Sequence, residues 1–138
     1  TADGQTVSWS AIRRYHIHEK GWHEIGYHCG VELIADHYEV LLGRFWNRDG
    51  AHCKDAEMNR RALGICLVGN FDLTAPPEAQ WIVAVRLVRW LLDLYRMPIT
   101  KVVGHRDYAT SRSCPGQLFS LGQFRSAVDA LPPGVVSV

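Results

Sequence analysis

The chain has no surplus of charge: 15 Lys and Arg stand against 14 Asp and Glu, a formal net charge of +1. Its cations are scattered rather than clustered, so nothing argues for a nucleic-acid footprint. No apolar run approaches the roughly 20 residues of a membrane span. The opening, Thr1-Ala2-Asp3-Gly4-Gln5, carries neither the basic stretch nor the apolar run of a secretion signal. Internal repeats and low-complexity tracts are absent as well. Cysteine is sparse at four residues, Cys29, Cys53, Cys66 and Cys114. The even count permits two disulfides, but a chain of 138 residues that is 47% hydrophobic has enough apolar material to fold without staples. All four are expected to be reduced or metal-bound. The length fits one domain, and such a chain buries roughly 68–70% of its unfolded surface.

What is present alternates between strand and helix patterns. Val7 to His16 reads as a helix with Ser8 as N-cap, ending near Gly21. Ile25 to Ile34 alternates as a half-buried strand, with Ile25, Tyr27, Cys29, Val31 and Leu33 on one face and Gly26, His28, Gly30 and Glu32 on the other. Ala35-Asp36-His37 turns into a second strand over Tyr38–Leu42. Arg44 to Asn59 is polar and reads as a long loop, a length that is often functional. The apolar run Leu63 to Gly69 suits a central buried strand. Pro76-Pro77-Glu78 opens a helix marked by Trp81, Ala84, Val85, Val88, Leu91, Leu92 and Tyr95, which Pro98 stops. Ile99–Val103 reads as a strand leading into His105, and a last helix covers Leu121–Leu131. The pattern predicts an α/β fold: one domain, a central mixed β-sheet flanked by helices.

The chemistry concentrates in Gly104 to Gly116. His105 and Cys114 offer imidazole and thiolate, a pair that suits Zn²⁺. Two protein ligands are fewer than the three of a usual catalytic zinc. The spacing admits two readings, a metal pair or a surface histidine beside a buried thiol. Arg112 stays protonated; it cannot serve as a base but can stabilise negative charge. Tyr27 is either a core aromatic or a hydrogen-bond donor to a developing oxyanion. Strand parity sends His28 to the face opposite Tyr27. His52 in the polar loop is either an exposed histidine or a substrate contact. His16 can pack inward beside Ile12, whereas His18 and His23 read as solvated.

Taken in order, several segments carry more than any one of them: Ile12 to His28, Gly43-Arg44, Gly50-Ala51-His52, Asn59, Leu63 to Phe71, and Gly104-His105-Arg106-Asp107 with Cys114-Pro115-Gly116. Together the chain resembles the type-2 N-acetylmuramoyl-L-alanine amidase family, which includes phage amidase endolysins and peptidoglycan recognition proteins. The likeness spans residues 8–120. It implies zinc-dependent cleavage of the amide between the lactyl group of muramic acid and L-Ala of the stem peptide. By position it implies His105 and Cys114 as zinc ligands and Tyr27 as the catalytic tyrosine. Arg112 stands where many members have a catalytic lysine. His52 and Asn59 fall in the region lining the substrate groove. The His-to-Cys spacing is one residue longer than in many relatives.

The family's first zinc ligand is a histidine on an N-terminal strand, and Thr1 to Gly4 match the residues just after it. The expectation is therefore an amidase domain over 1–131 that lacks its first strand, a tail over 132–138, and a third ligand preceding Thr1. The expected partner is peptidoglycan or a muropeptide, with no nucleic acid or membrane, and the expected state is a monomer. Cytoplasmic synthesis with action on the cell wall is expected, as for an endolysin. The alternative is a non-catalytic peptidoglycan-binding module of the same fold.

Overall fold

Ser8 opens the first helix as expected: its hydroxyl accepts from the Ala11 N–H at 3.1 Å, satisfying one of the free donors of helix α1, Trp9–Arg14. The computed structural model describes residues 8–109 and 111–133. The strand and ligand expected to precede Thr1, and most of the tail, lie outside those residues. Helix α1 runs on through a π-helical turn over Tyr15–Glu19, and Gly21, at φ 68°, turns the chain away.

Strands β1 (Cys29–Ile34) and β2 (His37–Leu42) form an antiparallel hairpin across Ala35-Asp36, with Ala35 at φ 57°. Strand β3 (Ile65–Leu67) pairs parallel with β1, so the described sheet is mixed, in the order β2-β1-β3. Its half-buried β3 lies at an edge among the described residues, not at the centre. The strand expected from Ile25 pairs regularly only from Cys29. Residues 25–28 bond to loops instead: Gly26 C=O accepts from Ala51 N–H at 2.9 Å, and His28 N–H donates to Gly64 C=O at 2.8 Å.

The polar side of that segment is also sealed rather than solvated. His28 is 1% exposed, with Nδ1 accepting from Gly64 N–H and Nε2 donating to Arg48 C=O. A buried imidazole satisfied at both nitrogens is structural and has no lone pair left for a ligand.

The expected long loop contains a short helix, α2 (Ala56–Arg61), capped by the Asp55 carboxylate on the Glu57 and Met58 N–H groups. Asn59 is therefore helical. The long helix α3 (Glu78–Tyr95) buries Ala84, Val85, Leu87, Val88, Leu91 and Leu92. Full burial of such side chains contributes about 1.5–3 kcal/mol each. Gln80, 1% exposed, ties α3 to the sheet by donating to the carbonyls of Val31 and Val68. The helix ends ahead of Pro98, at Arg96, which adopts the left-handed conformation at φ 51°.

Ile99–Val103 is not a strand. Ile99–Lys101 form a 3₁₀ turn, with the Lys101 and Val102 N–H groups bonded to Pro98 and Ile99 carbonyls. Local bonds thus satisfy two of its N–H groups, and the Val102 carbonyl accepts from Arg125 Nε at 2.7 Å. Helix α4 (Leu121–Ala130), capped by Ser120, closes over α3 through Phe124 and Val128. No helix among the described residues is long and apolar enough to cross a membrane.

Candidate functional site

Tyr27, His52, His105, Arg112 and Cys114 line one open cleft of about 1720 Å³. Residues 27 and 114 are distant in sequence; the sheet and the turns after α3 bring them to the same wall. Asn59, the other expected site residue, does not line this cleft. Its amide is spent on backbone: Oδ1 accepts from the His52 and Cys53 N–H groups, both at 3.0 Å, and Nδ2 donates to Cys53 C=O at 2.7 Å. Asn59 thus fixes the loop that presents His52.

His52 is held tightly. Its Nε2 donates to Ala62 C=O at 3.2 Å, which leaves Nδ1 as the acceptor nitrogen. Its ring lies 6.4 Å from that of Tyr27, nearly parallel. Gly50 and Gly64 make the cradle: a Cβ at either would sit about 2.4 or 2.3 Å from the His52 ring. Burial, aided by the nearby His28, His105 and Arg44, holds His52 below the ordinary histidine range, so it is neutral at pH 7. His16 packs inward, its Nδ1 accepting from Gly26 N–H at 3.0 Å and its ring 4.6 Å from Trp22.

His105 opens a 3₁₀ turn, His105–Asp107, that Asp107 closes by accepting from Gly104 N–H at 2.8 Å. Its Nε2 is buried and has no hydrogen-bond partner among the described residues. Such an orphan costs about 1–3 kcal/mol unless something fills its place. Burial, followed by the charge of Arg112, lowers its pKa and keeps the ring neutral, the form that binds metal.

Cys114 is exposed as a residue, yet burial of its sulfur is the main influence raising the thiol pKa, with the Asp72 carboxylate adding to it. The four cysteines are free thiols. Cys66, which sequence reasoning did not single out for the site, also lines the cleft; its thiol is pushed up to about 12, chiefly by burial and next by Cys114.

The Tyr27 phenol is raised above the tyrosine range, chiefly by burial and then by the thiols of Cys66 and Cys114, with Arg112 opposing. It is a permanent donor at neutral pH. No group of three or more His, Cys, Asp or Glu side chains among the described residues is placed to hold a metal. The N/S pair His105–Cys114, with an unpartnered buried nitrogen, fits Zn²⁺ as two ligands of a larger set.

Comparison with known proteins bears on this site. The model of a family described as N-acetylmuramoyl-L-alanine amidase matches residues 1–117. Peptidoglycan recognition protein 1 of Bos indicus is 33% identical over 117 residues, covering 81% of this chain and 57% of that protein. An endolysin of Klebsiella phage KP32 is 35% identical over 107 residues, covering 75% of this chain and 66% of the endolysin. The chain thus spans about half the length of curated relatives such as the recognition protein. Among solved structures, the N-acetylmuramoyl-L-alanine amidase LysC from Clostridium intestinale superposes with a TM-score of 0.78 at 27% identity, covering 94% of this chain and 80% of that one.

Proposed function

Since the chain belongs to the N-acetylmuramoyl-L-alanine amidase family, we propose that it hydrolyses the amide between the lactyl group of N-acetylmuramic acid and L-Ala of the stem peptide, with Zn²⁺ held by His105 and Cys114. The observation that carries this reading is the convergence of Tyr27, His105, Arg112 and Cys114 on one cleft, with the His105 Nε2 buried and unpartnered. The third ligand is not among the described residues.

When bound, Zn²⁺ supplies a Lewis acid that polarises the amide carbonyl and lowers the pKa of water. Hydrolysis adds the hydroxyl of water to the carbonyl carbon and its proton to the leaving L-Ala nitrogen, and the chain's own groups bind, orient and stabilise charge along that course. Tyr27, protonated at working pH, donates to the oxygen on which charge develops as the carbonyl becomes tetrahedral. Arg112 adds a fixed positive charge beside it and exchanges no proton. Neutral His52, with Nδ1 as its free acceptor, takes a substrate N–H and orients the peptide. The Cys114 thiol, raised by burial, gives up its proton only against a compensating cation, so metal uptake releases it.

Arg112→Lys is expected to keep more turnover than Arg112→Ala, because charge rather than proton transfer is its contribution. Equal losses in steady-state kcat for the two variants would remove it from that role.

The function is tested by measuring zinc in the purified protein and by chromatography of digested peptidoglycan. Expected products are stem peptides with a free L-Ala amine and muramic acid with a free lactyl carboxylate. Retention on insoluble peptidoglycan without release of stem peptide would make the chain a binding module instead.

A further inference from the structure

The two proposed ligands reach the cleft on separate loops, and their relative position is set by a clamp of hydrogen bonds that no ligand assignment includes. On the inner side, Arg106, next to His105, donates its N–H to the Cys114 carbonyl at 2.8 Å and its guanidinium to the Gly116 carbonyl at 3.1 Å. The outer side is formed by the segment after β3. Phe71 C=O accepts from Leu118 N–H at 2.8 Å. Gly116, at φ 127°, lies so close to Phe71 that a Cβ there would come within about 2.5 Å of its carbonyl carbon.

Asp72 completes that side. One carboxylate oxygen accepts from Ser113 Oγ at 2.5 Å and the other from Gln117 N–H at 2.8 Å. The two bonds bracket Cys114 in sequence, one residue before it and three after. Asp72 is itself fixed, since its N–H donates to Asn70 Oδ1 at 3.1 Å. An exposed aspartate that commits both oxygens to one loop is more than a solvated charge.

We infer that Asp72 is a positioning residue: it fixes the loop that carries Cys114 against the turn that carries His105. Without it the loop keeps its Arg106 and Phe71 bonds but loses the restraint on both flanks of Cys114. The inference rests on the zinc reading above. Groups of this kind, which orient a ligand without touching the metal, typically contribute about 10–100-fold to affinity.

Two variants separate bonding from charge. Asp72→Ala removes both. Asp72→Asn removes the charge but can still accept from Gln117 N–H and donate to Ser113 Oγ. Zn²⁺ affinity is read by competition with a chromogenic chelator, and the thiolate-to-metal absorption band is read with Co²⁺. Alkylation of Cys114 by iodoacetamide in metal-free protein is followed by mass spectrometry of its peptide.

Asp72→Ala is expected to weaken Zn²⁺ binding about 10–100-fold, to dim the Co²⁺ band, and to speed alkylation of Cys114 several-fold. Asp72→Asn is expected to stay close to the unsubstituted chain in Zn²⁺ affinity and in the Co²⁺ band and, because it removes a charge that raises the thiol pKa, to speed alkylation but less than Asp72→Ala does. Equal behaviour of Asp72→Ala and the unsubstituted chain overturns the inference, and so does an equal loss in both variants. Should the unsubstituted protein take up no Zn²⁺ even when extended upstream of Thr1 to include the third ligand, the zinc reading fails by itself. The alkylation rates then still decide whether Asp72 holds Cys114.

Discussion

In the protein extended upstream of Thr1 to include the third ligand, His105→Ala and Cys114→Ala are each expected to lose bound zinc and, with it, hydrolysis of peptidoglycan. Loss of a supporting residue around a metal typically costs about 10–100-fold in affinity. Loss of a ligand from so small a set should exceed about 100-fold. The fold should survive both changes. Cys114 is exposed, and its loop stays anchored by Asp72 and Arg106. His105 Nε2 has no partner among the described residues, so its removal strands no hydrogen bond at that atom. Circular dichroism should therefore be unchanged while zinc content, measured by atomic emission, falls to background. The adjacent thiol is the control. Cys66→Ala should retain zinc, because Cys66 sits in β3 with a thiol held protonated by burial. Full retention of zinc by the Cys114 variant together with loss by the Cys66 variant would reassign the thiolate ligand.

Much of this arrangement was legible in the residues because it rests on local rules. Ser8 capped the helix it was expected to cap, and the hairpin turned at Ala35-Asp36. The amphipathic face of α3 was read from its spacing. What was not legible depended on partners distant in sequence. The alternation from Ile25 suggested one polar face, yet His28 is sealed by Gly64 and Arg48, which come from two other loops. Ile99–Val103 has strand-like residues, but a strand exists only where another edge accepts it, and among the described residues Ile99–Lys101 turn in a 3₁₀ helix instead. Helix α2 was hidden because only six residues form it, and its signal was the Asp55 cap followed by Glu57 rather than any apolar stripe. Asn59, which the family resemblance puts in the region lining the groove, is bonded through its amide to the backbone of His52 and Cys53. The Asp72 contacts to residues 113 and 117 cross more than 40 positions of sequence, and no periodicity signals them.

Tyr27→Phe is the change that most directly separates chemistry from binding. Its phenol oxygen has no hydrogen bond among the described residues, and the ring is held by Trp9 and His52, each 6.4 Å away, which phenylalanine keeps. Stability should therefore move little. Burial holds the phenol protonated far above neutral pH, so in the active protein it acts as a donor and not as a base. A donor aimed where charge develops contributes mainly in the transition state; removing one typically costs about 10²–10³ in kcat. The expected result is a fall of that order in kcat with KM and zinc content nearly unchanged. The pattern follows from where the hydrogen bond is made: an interaction present equally in bound substrate would appear in KM instead. Loss of zinc from Tyr27→Phe would mean that the phenol holds the metal site together. An unchanged kcat would leave Tyr27 as an aromatic of the cleft wall, and the oxyanion would then depend on Arg112 alone among the chain's described residues.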